Sequence, residues 1–211
     1  MTPAPLIDHG VVIGNVFDKH RSRNAVVRRL VAGFDQGLNE LLDRAGAPAS
    51  VLEVGCGEGH VTAHLAQRYS AARVLGTDVS AMMIAIARRE HPELRFGVCS
   101  IYDIAKLGPW DLVVACEVFE HLHDPARALD AICATHPMQV LVTVPREPLW
   151  RLLNFVRGQY WRSFGNTPGH VRHWSLGSML RFLGTRLEIE DVRTPMPWTQ
   201  VLGRPRLAAR P

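Results

Sequence analysis

The chain contains 211 residues, of which 47% are hydrophobic and 21% charged, and its formal net charge at pH 7 is +4. These values fit one globular domain with a full hydrophobic core, and a charge this small without a long run of lysine or arginine gives no reason to expect nucleic-acid binding. Because the sequence has neither an apolar run of about 18 residues nor the basic and apolar regions of a signal peptide, we expect no membrane span and a cytoplasmic location.

The predicted elements begin with a long helix. Between residues 22 and 45 apolar residues recur at helical spacing, and the stretch RAGAPAS ends this pattern. Beyond it, short apolar strands alternate with helices. Strands are predicted at 50–55, 72–78, 94–99, 111–117 and 138–145, and helices at 58–69, 81–90 and 124–136. The alternation predicts β-α-β units, and hence a parallel sheet with helices on both faces that binds ligands at the carboxyl ends of its strands.

Two further strands are predicted at 186–192 and 197–203, the last of them antiparallel. They would complete a seven-stranded, mainly parallel sheet within a single domain of residues 1–211. We expect this domain to consist of an N-terminal helical segment (1–46), a ligand-binding core (47–145), a helical cap insertion (146–174) and the C-terminal part of the sheet (175–211).

A glycine-rich loop joins the first core strand to the following helix in the stretch VLEVGCGEGH. Glycines in this position permit a tight turn and let a ligand approach the backbone closely. A dinucleotide fingerprint would require glycine at position 60, where this chain has His60. Glu53 and Glu58 also bring negative charge that would repel a pyrophosphate and attract an ammonium or sulfonium group. The loop therefore argues against a nicotinamide cofactor.

Asp78 ends the second core strand, 21 residues after Gly57. An acidic side chain in this position can accept hydrogen bonds from both hydroxyl groups of a ribose. The alternative is that Asp78 caps the helix that follows, for which Ser80 is also a candidate N-cap.

The stretches VLEVGCGEG, VLGTDVS and DLVVACEVFEHL, in this order and spacing, resemble the class I S-adenosylmethionine-dependent methyltransferases over about residues 50–145. The resemblance implies a Rossmann-like doubly wound α/β fold and S-adenosyl-L-methionine as cofactor. Family members often carry an acidic residue after the third strand, near the adenine, whereas this chain has CSIYD. The implied cofactor contacts are Glu53, Gly55, Cys56 and Gly57 with the methionine part, Asp78 with the ribose, Val79, Ser100 and the Ile101 backbone with the adenine, and the backbone of Cys116 and Glu117 closing over the cofactor.

The stretch CEVFEHLHDP follows the fourth core strand and sets Glu117, Glu120 and His121 at spacing i, i+3, i+4. One helical turn would place the three side chains on one face. In the first interpretation Glu117 contacts the cofactor or a backbone amide, and the other two residues only shape a turn. In the second, His121, assisted by Glu120, is the general base that deprotonates the acceptor. His173 is a further candidate base.

A third interpretation makes this stretch a metal site. The E-x-x-E-H pattern resembles the metal site of small-RNA 2′-O-methyltransferases and of some ubiquinone-pathway O-methyltransferases, and His170, four residues before Trp174, would be the further ligand. Two carboxylates and two imidazoles could hold Mg²⁺, Mn²⁺ or Zn²⁺ and lower the pKa of a bound hydroxyl. The rest of the chain lacks the pattern of the RNA enzymes, which makes RNA a poor substrate candidate.

The cap insertion interleaves arginines with tryptophans, which suits an acidic, sugar-like or aromatic acceptor. The alternatives are that its apolar face packs on the core or lies on a membrane surface. The stretch NVFDKHRSRN, with Phe17 and His20, is expected to fold over the cofactor. The arginines of the cap are Arg151, Arg157, Arg162 and Arg172, and the tryptophans Trp150, Trp161 and Trp174.

We therefore predict methyl transfer to an oxygen or nitrogen atom of a small molecule. The alternatives are a metal-dependent O-methyltransferase that uses Glu117, Glu120, His121 and His170, and a non-catalytic regulatory protein that only binds the cofactor. Acceptor identity and oligomeric state do not follow from the sequence.

Overall fold

The computed structural model describes residues 6–8, 11–13, 24–150 and 170–206. Its first elements are β1 (Leu6–Asp8) and β2 (Val11–Ile13), which pair as an antiparallel hairpin. This hairpin was not among the predicted elements, because strands of three residues carry too little pattern to detect.

The long first helix, α1, spans Ala25–Ala45 and begins where predicted to within a few residues. The side chain of Asn24 accepts hydrogen bonds from the amides of Val26 and Val27, which satisfies two of the free amides at the helix start. Leu41 and Leu42 near its C-terminal end are fully buried. The helix therefore packs on the sheet along one apolar stripe.

Five parallel strands form the core of the main sheet, and each is joined to the next by helical structure. A short 3₁₀ turn, η2 (Phe119–His121), follows the fourth of these strands. The strands are β3 (Ser50–Val54), β4 (Arg73–Asp78), β5 (Phe96–Val98), β6 (Leu112–Cys116) and β7 (Gln139–Pro145). The connecting helices are α2 (His60–Arg68), α3 (Ala81–Glu90), the 3₁₀ helix η1 (Ile101–Leu107) and α4 (Pro125–Cys133).

The chain ends in α5 (Leu176–Leu183), β8 (Leu187–Arg193) and β9 (Trp198–Pro205). The strand order is β5-β4-β3-β6-β7-β9-β8, and β9 is antiparallel to both of its neighbours. This confirms the predicted seven-stranded, mainly parallel α/β sheet, including its antiparallel last strand.

Both faces of the central strands are buried. Alternate residues of β6 illustrate this, because Val113 and Val114 point to opposite faces and both are fully buried. Val114 packs in the cluster beneath α1, and Val113 packs with α4 and α5. The predicted site residues that follow β3, β4 and β6 therefore lie at the carboxyl ends of buried strands. None of the helices in the described part of the chain combines the length and apolar composition needed to cross a membrane.

The cap insertion is described only at its two ends, so the predicted helix within it lies mostly outside the described residues. Arg146 and Trp174 form an isolated parallel bridge, and the amide of Glu147 donates to the carbonyl of Trp174 at 2.9 Å. These contacts bring the two ends of the insertion together beside the carboxyl end of β7.

Candidate active site

The glycine loop after β3 has a backbone that side chains rarely tolerate. Gly55 and Gly57 have φ angles of 71° and 51°, in the left-handed region. A Cβ atom on Gly55 would lie 2.6 Å from Cγ2 of Val118, whereas one on Gly57 would meet no atom within 4 Å. Gly55 is therefore required both by its backbone angle and by the close approach of Val118. Gly57 leaves open space, such as a ligand needs.

Asp78 joins this loop to the start of α3. One carboxylate oxygen accepts from the Gly57 amide at 2.9 Å, and the other accepts from the Ser80 amide at 2.8 Å. The α3 cap itself is Ser80, whose side chain accepts from the Met83 amide. Each oxygen of Asp78 keeps a second lone pair, because a carboxylate offers about four acceptor positions. Asp78 is thus held in place by two backbone amides and can still accept hydrogen bonds from the hydroxyl groups of a ligand.

Glu53 lies beneath the loop, with only 2% of its surface exposed. Burial raises the pKa of this carboxyl group to about 7, the nearby Asp78 charge adds to the rise, and the hydrogen bond from the Thr62 hydroxyl opposes it. A cation bound nearby would favour the ionised form and reverse much of this shift. The site therefore contains a carboxylate whose charge depends on what occupies the loop.

The remaining residues of the predicted cofactor site lie along the same sheet edge. Val79 is 57% exposed directly after Asp78, which leaves an apolar surface open to a planar group. Ser100 caps η1, and Ile101 beside it is buried. Cys56 is buried as well, and burial raises the pKa of its thiol, so this cysteine is unreactive.

Glu117 departs from the helical geometry that its spacing suggested. Its φ angle is 56°, in the left-handed region, and η2 begins only at Phe119. The indole Nε1–H of Trp198, in β9, donates to the Glu117 carboxylate. Residues 117–121 therefore do not form the single helical turn that would have placed Glu117, Glu120 and His121 on one face.

Glu120 and His121 lie together with His170. One ligand atom from each of these residues lies within 4.8 Å of the others, and the imidazole rings of His121 and His170 are 5.0 Å apart in an edge-to-face arrangement. Glu120 is 2% exposed, and the two histidines are half-buried. Of the four predicted metal ligands, the fold gathers three, and Glu117 is not part of this group within the described residues.

His173 points elsewhere. Its Nδ1 atom lies 3.5 Å from a carboxylate oxygen of Glu147, which is 9% exposed. His170 instead stacks on Trp150, with ring centroids 6.3 Å apart. The structure therefore separates the two histidines of the GHVRHW stretch, and only His170 joins Glu120 and His121.

Of the four cap arginines that the sequence analysis names, Arg172 lies within the described residues, and its side chain binds the protein itself. The Arg172 guanidinium donates to the carbonyls of Leu122 and His123. It is therefore engaged with the protein itself, and Trp174 is 9% exposed and packs on Phe182. The cap residues Arg151, Arg157, Trp161 and Arg162, together with Phe17 and His20, lie outside the described residues.

The sequence analysis did not identify two residues that hydrogen-bond to the predicted site residues, Thr62 and Trp198. Thr62 follows the glycine loop by less than one helical turn of α2 and could have been suspected as the partner of Glu53. Trp198 carried no signal, because it lies 81 residues from Glu117 along the chain and meets it only through the pairing of β7 with β9.

The chain matches the family model described as a methyltransferase domain over residues 21–186. The chain belongs to this methyltransferase family. The match confirms the resemblance drawn from the glycine loop, Asp78 and the β6 stretch. The match places the chain among the class I S-adenosylmethionine-dependent methyltransferases.

Several curated relatives align with the chain. The trans-aconitate 2-methyltransferase of Variovorax paradoxus is 34% identical over 146 residues, which cover 64% of this chain and 55% of that protein. The ubiquinone biosynthesis O-methyltransferase of Pseudomonas paraeruginosa is 31% identical over 172 residues, covering 74% and 72%. The chain spans about half the length of the trans-aconitate methyltransferases that it matches.

Solved structures share the fold at low sequence identity. Magnesium protoporphyrin IX methyltransferase from Synechocystis with bound SAH superimposes with a TM-score of 0.64 at 17% identity, covering 88% of this chain and 89% of that one. An S-adenosylmethionine-dependent methyltransferase from Mesorhizobium loti gives a TM-score of 0.61 at 18% identity, with coverages of 82% and 97%. Both similarities concern the fold alone.

Proposed function

We propose that the protein transfers the methyl group of S-adenosylmethionine to an oxygen or nitrogen atom of a small molecule. The observation that carries this proposal is that two groups of residues lie at the carboxyl ends of neighbouring parallel strands, β3, β4 and β6. Asp78 and the glycine loop form one group, and the turn with Glu120 and His121 forms the other. The cofactor supplies an already activated methyl group, so the protein has to hold it, align the acceptor and exclude water.

The residues around the loop fit this cofactor. Gly57 leaves room for the amino-acid part of the ligand, and Glu53 supplies the counter-charge for a cation above it. Asp78 would bind the ribose hydroxyls, and the exposed Val79 would lie against the adenine, with Ser100 and the Ile101 backbone at its edge. Gly55, Cys56, Cys116 and Glu117 would complete the enclosure through their backbone atoms.

For the acceptor, His121 is our candidate general base. Its imidazole is half-buried at the carboxyl end of β6, close to the buried Glu120 carboxylate, which would favour a proton on the ring once the acceptor has released it. His173 is a weaker candidate, because its ring is paired with Glu147.

A metal-dependent variant of the same reaction is our second candidate, favoured by the group Glu120, His121 and His170. Two imidazoles and one carboxylate suit Zn²⁺ or Mn²⁺ better than Mg²⁺, which prefers oxygen ligands. A metal here would lower the pKa of an acceptor hydroxyl and orient it. Glu117 is a weaker ligand candidate than the sequence suggested, because its carboxylate accepts the Trp198 indole.

Two acceptor classes come from the relatives. One relative is named for trans-aconitate, a carboxylic acid, and the other for ubiquinone biosynthesis. We propose an acidic or aromatic acceptor, with the cap insertion contributing to its recognition. A non-catalytic cofactor-binding protein is the remaining alternative.

The deciding experiment is release of S-adenosylhomocysteine in the presence of a panel of small carboxylic acids, phenols and catechols. Turnover with any acceptor excludes the non-catalytic alternative, and its absence across both classes would contradict the proposed acceptor class.

The metal variant is tested separately, by repeating the productive assay after EDTA treatment and in His170→Ala. We expect loss of activity in both cases and recovery of the treated enzyme with Zn²⁺ or Mn²⁺. His173→Ala is the matched control, since this histidine lies outside the group. Undiminished turnover after EDTA would eliminate the metal variant and leave His121 as the base.

A further inference from the structure

We propose that Arg172 is a positioning residue that fixes the segment carrying His170 against the turn carrying His121. This inference rests on the proposed function of the two histidines, because it concerns how they are brought together. Among the described residues, the Arg172 guanidinium donates to backbone carbonyls alone and not to the glycine loop or Asp78.

The turn η2 and the two residues after it present backbone carbonyls that accept hydrogen bonds from the segment at 171–172. A 3₁₀ turn of three residues cannot satisfy the carbonyls at its own C-terminal end, so these need partners from elsewhere. The Glu120 carbonyl accepts from the amides of Val171 and Arg172 at 3.0 and 3.1 Å. The Leu122 carbonyl accepts from Nε of Arg172 at 3.1 Å, and the His123 carbonyl accepts from its Nη2 at 2.6 Å.

These four hydrogen bonds form one clasp. The backbone at 171–172 satisfies the carbonyl of Glu120, and the side chain of Arg172 reaches further along the same stretch of carbonyls. Arginine suits this task because its planar guanidinium presents separate N–H groups in a fixed geometry, whereas lysine offers a single point charge on a flexible stem.

The clasp determines the relative position of the histidines. His170 lies two residues before Arg172, and His121 lies between Glu120 and Leu122, whose carbonyls are both held. The 5.0 Å separation of the two imidazoles therefore depends on a clasp that shares its residues with neither ring. Loosening the clasp should move His170 while leaving the β6 strand before the turn in place.

Asp124, which follows the residues bound by Arg172, is held by separate contacts. Removing the Arg172 side chain should therefore not unfold the protein. The hydroxyl of Tyr102 accepts from the Asp124 amide at 3.4 Å, and Asp124 caps α4 by accepting from the Arg127 amide. The Arg127 guanidinium in turn lies 4.9 Å from the centre of the Tyr102 ring.

The test compares Arg172→Met and Arg172→Lys with Arg186→Met. Arg186 is a matched control, because its guanidinium pairs with Asp130 on the surface, away from the turn. In protein with labelled histidines, the nuclear Overhauser effect between the rings of His121 and His170 should persist in the control, weaken in Arg172→Lys and disappear in Arg172→Met. With an acceptor in hand, kcat of Arg172→Met should fall by about 10- to 100-fold. The affinity for S-adenosylmethionine should stay within about twofold of the parent, a difference below 0.5 kcal/mol.

Two results would overturn the inference. One is an unchanged ring-to-ring signal and kcat in Arg172→Met. The other is a parallel loss of cofactor affinity and melting temperature, which would make Arg172 a residue of general stability. The ring-to-ring measurement needs no acceptor, so failure of the parent enzyme to turn over would count against the proposed function and not against the clasp.

Discussion

The proposed cofactor side of the sheet edge, with the glycine loop and Asp78, and the proposed acceptor side, with the turn after β6, are built in different ways. On the cofactor side, Asp78 holds Gly57 across 21 residues of chain, within one β-α-β unit. On the acceptor side, Glu117 is held by Trp198 from 81 residues away, and Arg172 reaches back 49 residues to His123. Local contacts thus fix the glycine loop and Asp78, whereas distant contacts fix the stretch that follows β6. Under the proposed function, the residues that bind the acceptor could change without disturbing those that bind the cofactor.

The largest effect on stability is expected from Glu53, because the buried carboxyl group is less stable when it is ionised, as its raised pKa indicates. Its folded-state pKa of about 7 lies above the ordinary value of 4.5, so the folded protein binds more protons in this window. The free energy of unfolding should therefore fall as pH rises from about 4.5 to about 7, by on the order of 3 kcal/mol. Urea unfolding of the parent and of Glu53→Gln at a series of pH values measures this contribution as the difference between the two curves.

The affinity for the cofactor should also depend on the ionisation of Glu53, but it should rise with pH where the stability falls. Because a cation favours ionised Glu53, affinity for S-adenosylmethionine should increase as pH rises through 7 in the parent and remain flat in Glu53→Gln. A parent curve without this rise would place Glu53 outside the reach of the ligand's charge.

Two alanine variants of the glycine loop distinguish the cost of a steric clash from the cost of an unfavourable backbone angle. Gly55→Ala and Gly57→Ala both place alanine at positive φ, but only the first also meets Val118 at 2.6 Å. Gly55→Ala should be less stable than Gly57→Ala by about 2 kcal/mol, measured by denaturant unfolding. Equal losses of stability in the two variants would mean that the Val118 side chain moves aside without cost and does not restrict residue 55.

Asp78 has a structural counterpart at the opposite end of the sheet. Asp111 accepts from the amides of Ala49 and Ser50 at 2.8 and 3.0 Å, much as Asp78 accepts from those of Gly57 and Ser80. Asp78→Asn and Asp111→Asn should each lower the free energy of unfolding by about 1.5 kcal/mol relative to the parent protein. Calorimetry should show about a tenfold weaker binding of S-adenosylmethionine in Asp78→Asn alone. A similar loss in Asp111→Asn would show that the effect is transmitted through the fold.

The smallest effect concerns the acceptor side. Trp198→Phe removes the hydrogen bond to Glu117 but retains an aromatic ring against Phe34 and Trp150, so we expect a loss of about 1 kcal/mol. Trp110→Phe is the control, because the buried Nε1 of Trp110 has no hydrogen-bond partner. Should both variants unfold at the same denaturant concentration, the bond to Glu117 contributes nothing to stability.

The predictions that succeeded all depend on neighbouring residues. The long helix, the parallel strands, the glycine loop and Asp78 each have a short-range pattern of apolar spacing or glycine placement. Ser80 was a candidate N-cap and is the N-cap of α3. The predicted roles of the cofactor residues remain predictions, although the fold brings them to one edge.

The predictions that failed or stayed open concern the β6 stretch and the cap insertion. The i, i+3, i+4 spacing suggested one helical face, and the backbone instead turns left-handed at Glu117. His173 was a candidate base, but its ring faces Glu147. Neighbouring histidines cannot be told apart by their spacing, because their directions are decided by the segment against which they pack.

The amino-acid sequence by itself determined the sheet, the cofactor loop and the family, since apolar periodicity and glycine placement act over a few residues. Only the tertiary structure decided that His170 meets His121 and Glu120, that Trp198 holds Glu117, and that Arg172 binds the protein's own backbone. The physical reason is that these contacts join strands and turns far apart in the chain. Their geometry exists only after the sheet has brought its strand ends to one edge.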